Sequence, residues 1–250
     1  MTRSTLLGLL TLTAALLAPS DVDAALPDHD WETAIGLPGA HSPNWSSGYD
    51  EEINAILEAD LDGLPGTEIY VGGVFESIGE DQPPVELHYG VARWDGASWH
   101  RLLYGLDRWD GPFDEQLARV EDMVTWDDGS GPALYISGDF NRAFHQPQGG
   151  IIDLVSIEAR NIVRWDGAEW TDVGGGLGNF GSVEAMAVFD DGSGEALYAT
   201  GDIRTNVGAP FDSIGRWDGT TWAALGGPFR FDDGAQGFPK AMLVYDDGTG

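Results

Sequence analysis

The residues best placed to do chemistry are aspartates in two short loops that recur along the chain. "DDG[ST]G" sets Asp127 beside Asp128, Asp190 beside Asp191 and Asp246 beside Asp247, while "WDG" places Asp95, Asp166 and Asp218 directly after a tryptophan. Oxygen-rich loops of this kind can hold calcium, and "ADLDG" at Asp60 and Asp62 begins a D-x-D-x-D-G spacing whose third ligand position is Leu64, followed by Pro65. The calcium candidates are therefore weak ones: Asp60, Asp62, Asp127, Asp128, Asp190 and Asp191. The competing reading is turn chemistry, in which Asp accepts local backbone hydrogen bonds and the next glycine (Gly96, Gly167 or Gly219 in the WDG series) takes a positive φ. No cofactor other than calcium is implied.

Catalytic patterns are sparse. There is no H-E-x-x-H, no G-x-S-x-G and no close pair among the 5 histidines. Gly176–Gly181 matches G-x-G-x-x-G, yet it leads into the strand pattern at Val183 and not into a helix, so it reads as a flexible connection. His145, with Asp139 and Glu158 on the longest insert, is the best cluster for acid–base or metal chemistry; a solvated loop is the alternative, and no catalytic residue is assigned. The absence of cysteine excludes thiol catalysis, thiolate metal sites and disulfides.

Charge excludes a further class. Asp and Glu number 42 against 12 Lys and Arg, a formal charge of −30 with Lys240 the single lysine, and such a surface repels phosphate backbones, so a nucleic-acid partner is not expected. The N-terminus carries Arg3, an apolar run from Leu6 to Ala18 and a small-residue site at Val22-Asp23-Ala24. This is the pattern of a secretory signal over residues 1–24, which predicts a secreted or cell-surface protein with no membrane insertion in the mature segment.

The elements that carry these loops repeat. "VEDMVTWDDGSGPALYISGDF" from Val120 returns as "VEAMAVFDDGSGEALYATGDI" from Val183, starts again as "KAMLVYDDGTG" from Lys240, and has a looser copy from Ile53. The copies from Ile53, Val120 and Val183 are each followed by "RWDG-x-x-W". The pattern predicts four antiparallel strands per unit and a boundary set of 25–52, 53–119, 120–182, 183–239 and 240–250, with 30–39 as a possible ring-closing strand. The last segment would be the first strand of a further unit, and the chain is expected to be part of a longer propeller.

Strand parity places the tryptophans. Whether the Asp-Gly turn is a two- or four-residue loop, Trp94 and Trp99, Trp165 and Trp170, and Trp217 and Trp222 fall on one face of their hairpins, whereas Leu102, Val173 and Leu225 fall on the other. Both faces are then apolar, as in sheets stacked face to face. Arg93, Arg164 and Arg216 share the face opposite the indoles, where ion pairs with a neighbouring unit are expected.

The combination "LY-x-x-G-[DG]-F … RWDG-x-x-W", over roughly residues 53–250, resembles kelch-type β-propeller blades and is similar to the central domain of the galactose-oxidase class. The resemblance implies an all-β propeller of four-stranded antiparallel blades, here an incomplete ring. A copper radical site of that class needs a Tyr-Cys crosslink, which this sequence cannot form. The sialidase Asp-box also differs, since its Asp and Gly are separated by one residue. Two functions fit: a non-catalytic secreted scaffold binding extracellular glycan or protein through its long, variable connections, or a secreted propeller lyase or hydrolase acting on polysaccharide at the same end.

Overall fold

The computed structural model describes residues 40–41, 51–61, 68–78, 89–109, 115–145, 155–178, 181–203, 214–227, 229–234 and 236–245. These residues are all-β, with no helix among them, and form antiparallel four-stranded sheets. The predicted leader (1–24), the ring-closing segment 30–39, Asp62, Asp246 and Asp247 lie outside the described residues. Immediately after residue 39, β1 (Ala40–His41) pairs with β4 (Ser77–Ile78).

Three sheets follow the repeats. Sheet I contains β2 (Glu52–Ala59), β3 (Glu68–Val74), β5 (Val91–Trp94) and β6 (Trp99–Arg101). Sheet II contains β9 (Arg119–Asp127), β10 (Pro132–Asp139), β13 (Ile162–Trp165) and β14 (Trp170–Asp172). Sheet III contains β15 (Val183–Asp190), β16 (Glu195–Gly201), β17 (Ile214–Trp217) and β18 (Trp222–Ala224). In each the strands lie in chain order, as short hairpin turns demand.

Every first strand carries a bulge at the same place: the register slips at Asn54, Glu121 and Glu184. Opposite the bulge stands a glycine. A Cβ on Gly73, Gly138 or Gly201 would run into the carbonyl of Glu52, Arg119 or Ser182. One glycine per repeat is thus a steric requirement of the bulge, and the second glycine of the kelch pattern has no such role here.

The tryptophans pair directly across four-residue turns, with ring centroids 5.4 Å apart for Trp94–Trp99, 4.7 Å for Trp165–Trp170 and 5.4 Å for Trp217–Trp222. The second and third pairs sit on the side of their sheet facing the preceding repeat. Trp165 and Trp170 join Tyr70, Val91, Leu102 and Val120 in the core between sheets I and II. Trp217 and Trp222 join Trp126, Tyr135, Val173 and Leu177 in the core between II and III, where the Trp222 indole also donates to the Val173 carbonyl at 2.8 Å. Leu102 and Val173 face away from their own indoles, as parity predicts.

The two outermost faces are open. Ile56 and Ile69 of sheet I are 61% and 41% exposed, whereas their equivalents Met186 and Leu197 in sheet III are 5% and 0% exposed against sheet II. On the far side of sheet III, Phe189 is 42% exposed where the matching Trp126 of sheet II is buried. Residues 240–245, expected as a further first strand, join no sheet; Leu243, Val244 and Tyr245 are exposed, because no described strand lies beside them to complete a ladder. Lys240 lies 2.9 Å from Glu184.

A fourth sheet corrects the reading of the inserts as loops. β7 (Leu106–Trp109) and β8 (Glu115–Leu117), from the connection between repeats one and two, pair with β11 (Arg142–His145) and β12 (Val155–Glu158), from within repeat two, in the order β12-β11-β7-β8. The physical reason is the second "RWDG" at Arg108, which gives this connection hairpin character of its own and an edge for β11 to join.

Candidate functional site

Short turns occupy one end of the sheets and long connections the other, as hairpin topology requires. At the short-turn end the calcium candidates are engaged in turn bonds. Asp127 accepts from the amides of Gly129 and Gly131, both at 2.9 Å, and Asp190 from those of Gly192 and Gly194 at 2.8 and 2.9 Å. The carboxylates of Asp128 and Asp191 each accept from a serine amide at 3.0 Å and the same serine's hydroxyl at 2.5 Å. Asp95, Asp166 and Asp218 accept the amides two and three residues on. Asp60 is exposed beside the undescribed Asp62. Among the described residues no group of three or more His, Asp or Glu could hold a metal ion.

Sequence reasoning missed a three-residue network that recurs in every repeat. Tyr135 donates its hydroxyl proton to Asp128 at 2.8 Å, Tyr198 to Asp191 at 2.9 Å, and Tyr70 to Glu68 at 2.8 Å. An arginine accompanies each pair: Arg164 lies 4.0 Å from Asp128, Arg216 is 3.6 Å from Asp191, and Arg93 is 2.5 Å from Glu68. These ion partners lie within the arginine's own repeat and not across a seam, because β13 and β17 run beside the strand bearing the tyrosine, with Tyr135 opposite Arg164 and Tyr198 opposite Arg216. The signal was the in-step recurrence of Tyr and Arg at matched positions.

These contacts set the carboxylates' titration. The Ser193 hydroxyl and amide, then the Tyr198 hydroxyl, hold Asp191 down at about 2. At Asp128 burial pushes upward, and the Ser130 and Tyr135 hydroxyls outweigh it, leaving the group below its ordinary value. Asp218 is held well down, first by the Thr221 amide, and Asp95 likewise by the Ser98 amide and then His100. A carboxyl depressed in the folded state contributes stability that is complete above its unfolded value near 3.9 and lost as pH falls through the folded value. The unfolding midpoint is therefore expected to drop between about pH 4 and pH 2, and to drop less steeply in Asp191→Asn. Equal slopes would show that Asp191 makes no net contribution.

Where sheets II and III meet at this end, the turn of Gly219 packs on the Asp128 loop and a cleft of about 330 Å³ opens beside them. Asp128, Ser130, Tyr135, Arg164, Thr171, Asp172 and Trp217 line it. Arg164 is 7% exposed; one terminal nitrogen donates to the Gly131 carbonyl at 3.0 Å, but its Nε–H has no acceptor. In sheet III the corresponding Nε of Arg216 donates to Tyr198 at 3.2 Å.

The long-connection end carries the fourth sheet. His145 stands opposite Val155 and Glu158 opposite Arg142, so His145 and Glu158 lie at opposite ends of one ladder, about 10 Å apart along it. Asp139 pairs with Arg108, and Glu158 with Arg160 at 2.9 Å. The sequence-predicted cluster of His145, Asp139 and Glu158 is therefore not brought together.

These features define a class: a repeat protein of face-packed, four-stranded antiparallel sheets with Trp-clasped turns. Comparison with protein-family models, curated proteins and solved structures finds no match. Among the described residues no helix is long and apolar enough to cross a membrane.

Proposed function

We propose that the repeats are blades of a kelch-like β-propeller that is secreted and acts outside the cell as a non-catalytic scaffold, binding glycan or protein at the long-connection end. The observation that carries this reading is the fourth sheet. Connections of two neighbouring repeats co-assemble there into an ordered platform, which is how a rigid scaffold presents a recognition surface. The carboxylates that the sequence offered for acid–base work beside His145, those of Asp139 and Glu158, are held in ion pairs, which favours binding over hydrolysis or elimination. The open faces of sheets I and III, apolar at positions buried elsewhere, support placement among further blades.

The test replaces residues 144–156 with an Asn-Gly turn and probes the intact and shortened chains against arrayed glycans and cell-surface proteins. Binding by the intact chain, its loss on shortening while the shortened chain still unfolds cooperatively, and no polysaccharide turnover are the expected results. Turnover, or binding indifferent to the deletion, overturns the scaffold reading. For export, the expected N-terminus of chain recovered from the medium of a secreting host is Ala25; retention in the cell would refute it.

A further inference from the structure

We infer that residues 240–245, lying beside sheet III, form an acceptor site for one extended strand of another polypeptide, a strand with the pattern [IL]-Y-x-x-G. The site is distinct from the long-connection platform, and its test is independent of that one.

Three observations put the segment in the place of a first strand. "KAMLVY" repeats the "EAMAVF" of β15, so Lys240 takes the position of the bulge residues Asn54, Glu121 and Glu184. Across the seam between sheets I and II the Asn54 side-chain amide lies 3.4 Å from the Glu121 carboxylate, and the Lys240 ammonium lies 2.9 Å from Glu184 in the same relation. Exposure also follows strand parity. Met242 and Val244, equivalents of the Met186 and Val188 that pack towards sheet II, are half-buried and 46% exposed, whereas Leu243 and Tyr245 are 83% and 75% exposed.

The chain itself shows what such a strand binds. β2, β9 and β15 each pair antiparallel with a strand carrying Tyr70, Tyr135 or Tyr198, preceded by Ile or Leu and followed three residues on by Gly73, Gly138 or Gly201. The register of β15, applied to residues 240–245, sets the leucine opposite Val244, the tyrosine opposite Leu243 and the glycine opposite Pro239, a residue tolerated at the start of a strand. The glycine is a steric requirement in all three existing pairs, since a Cβ there would meet the carbonyl of Glu52, Arg119 or Ser182.

An unpaired first strand presents a row of main-chain donors and acceptors, and an added strand satisfies them while its side chains cover apolar surface. That surface is present on sheet III. Phe189 is 42% exposed, whereas the matching Trp126 of sheet II is buried in the core that includes Leu197 of the next sheet's second strand. The leucine of the incoming strand would stand over Phe189 as Leu197 stands over Trp126.

The experiment titrates the full chain with a fluorescein-labelled peptide of residues 195–203, EALYATGDI, read by fluorescence anisotropy, and maps the bound state by amide hydrogen exchange. A Kd of about 0.1 mM or tighter is expected, with new protection confined to residues 240–245. Consecutive amides of a strand point to opposite edges, so Leu243→Pro combined with Val244→Pro removes a donor from whichever edge is used. Binding should then fall at least about tenfold, with the unfolding midpoint unchanged because the segment belongs to no sheet. The same peptide carrying Gly201→Ala should also bind at least about tenfold more weakly. Lys240→Glu, which sets a carboxylate against Glu184, should weaken binding about fivefold, and Glu184→Lys in the same chain should restore it. The inference is overturned if the peptide fails to bind at about 1 mM, if protection appears elsewhere, or if the alanine peptide or the proline variant binds as well as the original pair. It is overturned equally if a second copy fills the site, seen as a concentration-dependent dimer that excludes the peptide and is dissolved by the two prolines.

Discussion

Gly138→Ala is expected to be among the most damaging single substitutions in this chain. The added methyl would lie inside the Arg119 carbonyl, with backbone on the opposing strand and no flexible side chain to yield. Relief requires moving β9 away from β10, and β9 is the strand that also meets sheets I and III: Asn54 donates to the Val120 carbonyl at 3.0 Å, and Asp122 accepts the Met186 amide at 2.6 Å. The expected loss exceeds about 4 kcal/mol, an exceptional range that overpacking against fixed backbone is one of the few mechanisms to reach. Gly129→Ala is the internal comparison. Its φ of 96° costs an L-residue about 1–2 kcal/mol, yet its Cβ would meet nothing. Urea unfolding followed by far-UV circular dichroism separates the two. Similar midpoints for both would mean that the bulge tolerates a side chain and that the glycine answers to turn conformation alone.

Trp165→Ala is the second large effect. The indole is 5% exposed, packed on Trp170 and on the core shared by sheets I and II, so truncation empties a seam that no other side chain can fill; about 3–5 kcal/mol is expected. Trp94 occupies the same place in sheet I, packed on Trp99 but with no described four-stranded sheet before it, and is half-buried, so Trp94→Ala should cost only about 1–2 kcal/mol. The ratio distinguishes seam packing from hairpin stabilisation. If both substitutions cost the same, the indole pair acts within its own turn and the sheet-to-sheet contact contributes little.

What the sequence displayed was local. Asp-Gly turns, the alternation of "ALYAT", and tryptophans separated by four residues are consequences of strand parity, which needs no knowledge of neighbours. Even the lone glycine at 73, 138 and 201 is visible as a repeat, although its reason appears only once the bulge is seen. The features that escaped depend on placement between elements. The Asp128–Tyr135–Arg164 network joins a loop and two strands, and the arginine's face was evident while its partner was not. The insert sheet draws strands from two repeats, so no single stretch announces it, and Val155–Glu158 has too few alternating positions to stand out from a loop. The cleft falls at the end where short, stereotyped turns gave no hint of a cavity, because its walls come from two repeats.

The insert sheet has a mechanical corollary. Within each repeat the strands are antiparallel hairpins in chain order, so a pulling force applied along the chain opens them like a zipper, one hydrogen-bond pair at a time, and not in the shearing mode that resists strongly. Sheet III, tied to sheet II by side-chain packing, the Asp122–Met186 bond between first strands and the bond from the Trp222 indole to the Val173 carbonyl, should peel away alone. Repeats one and two are different: β7 leaves repeat one and lies beside β11 of repeat two, with further main-chain bonds from Asn141 to Asp107, Tyr104 to Phe144 and Phe144 to Gly105. Under load they are one body, and an extension trace should show a two-repeat release distinct from that of sheet III.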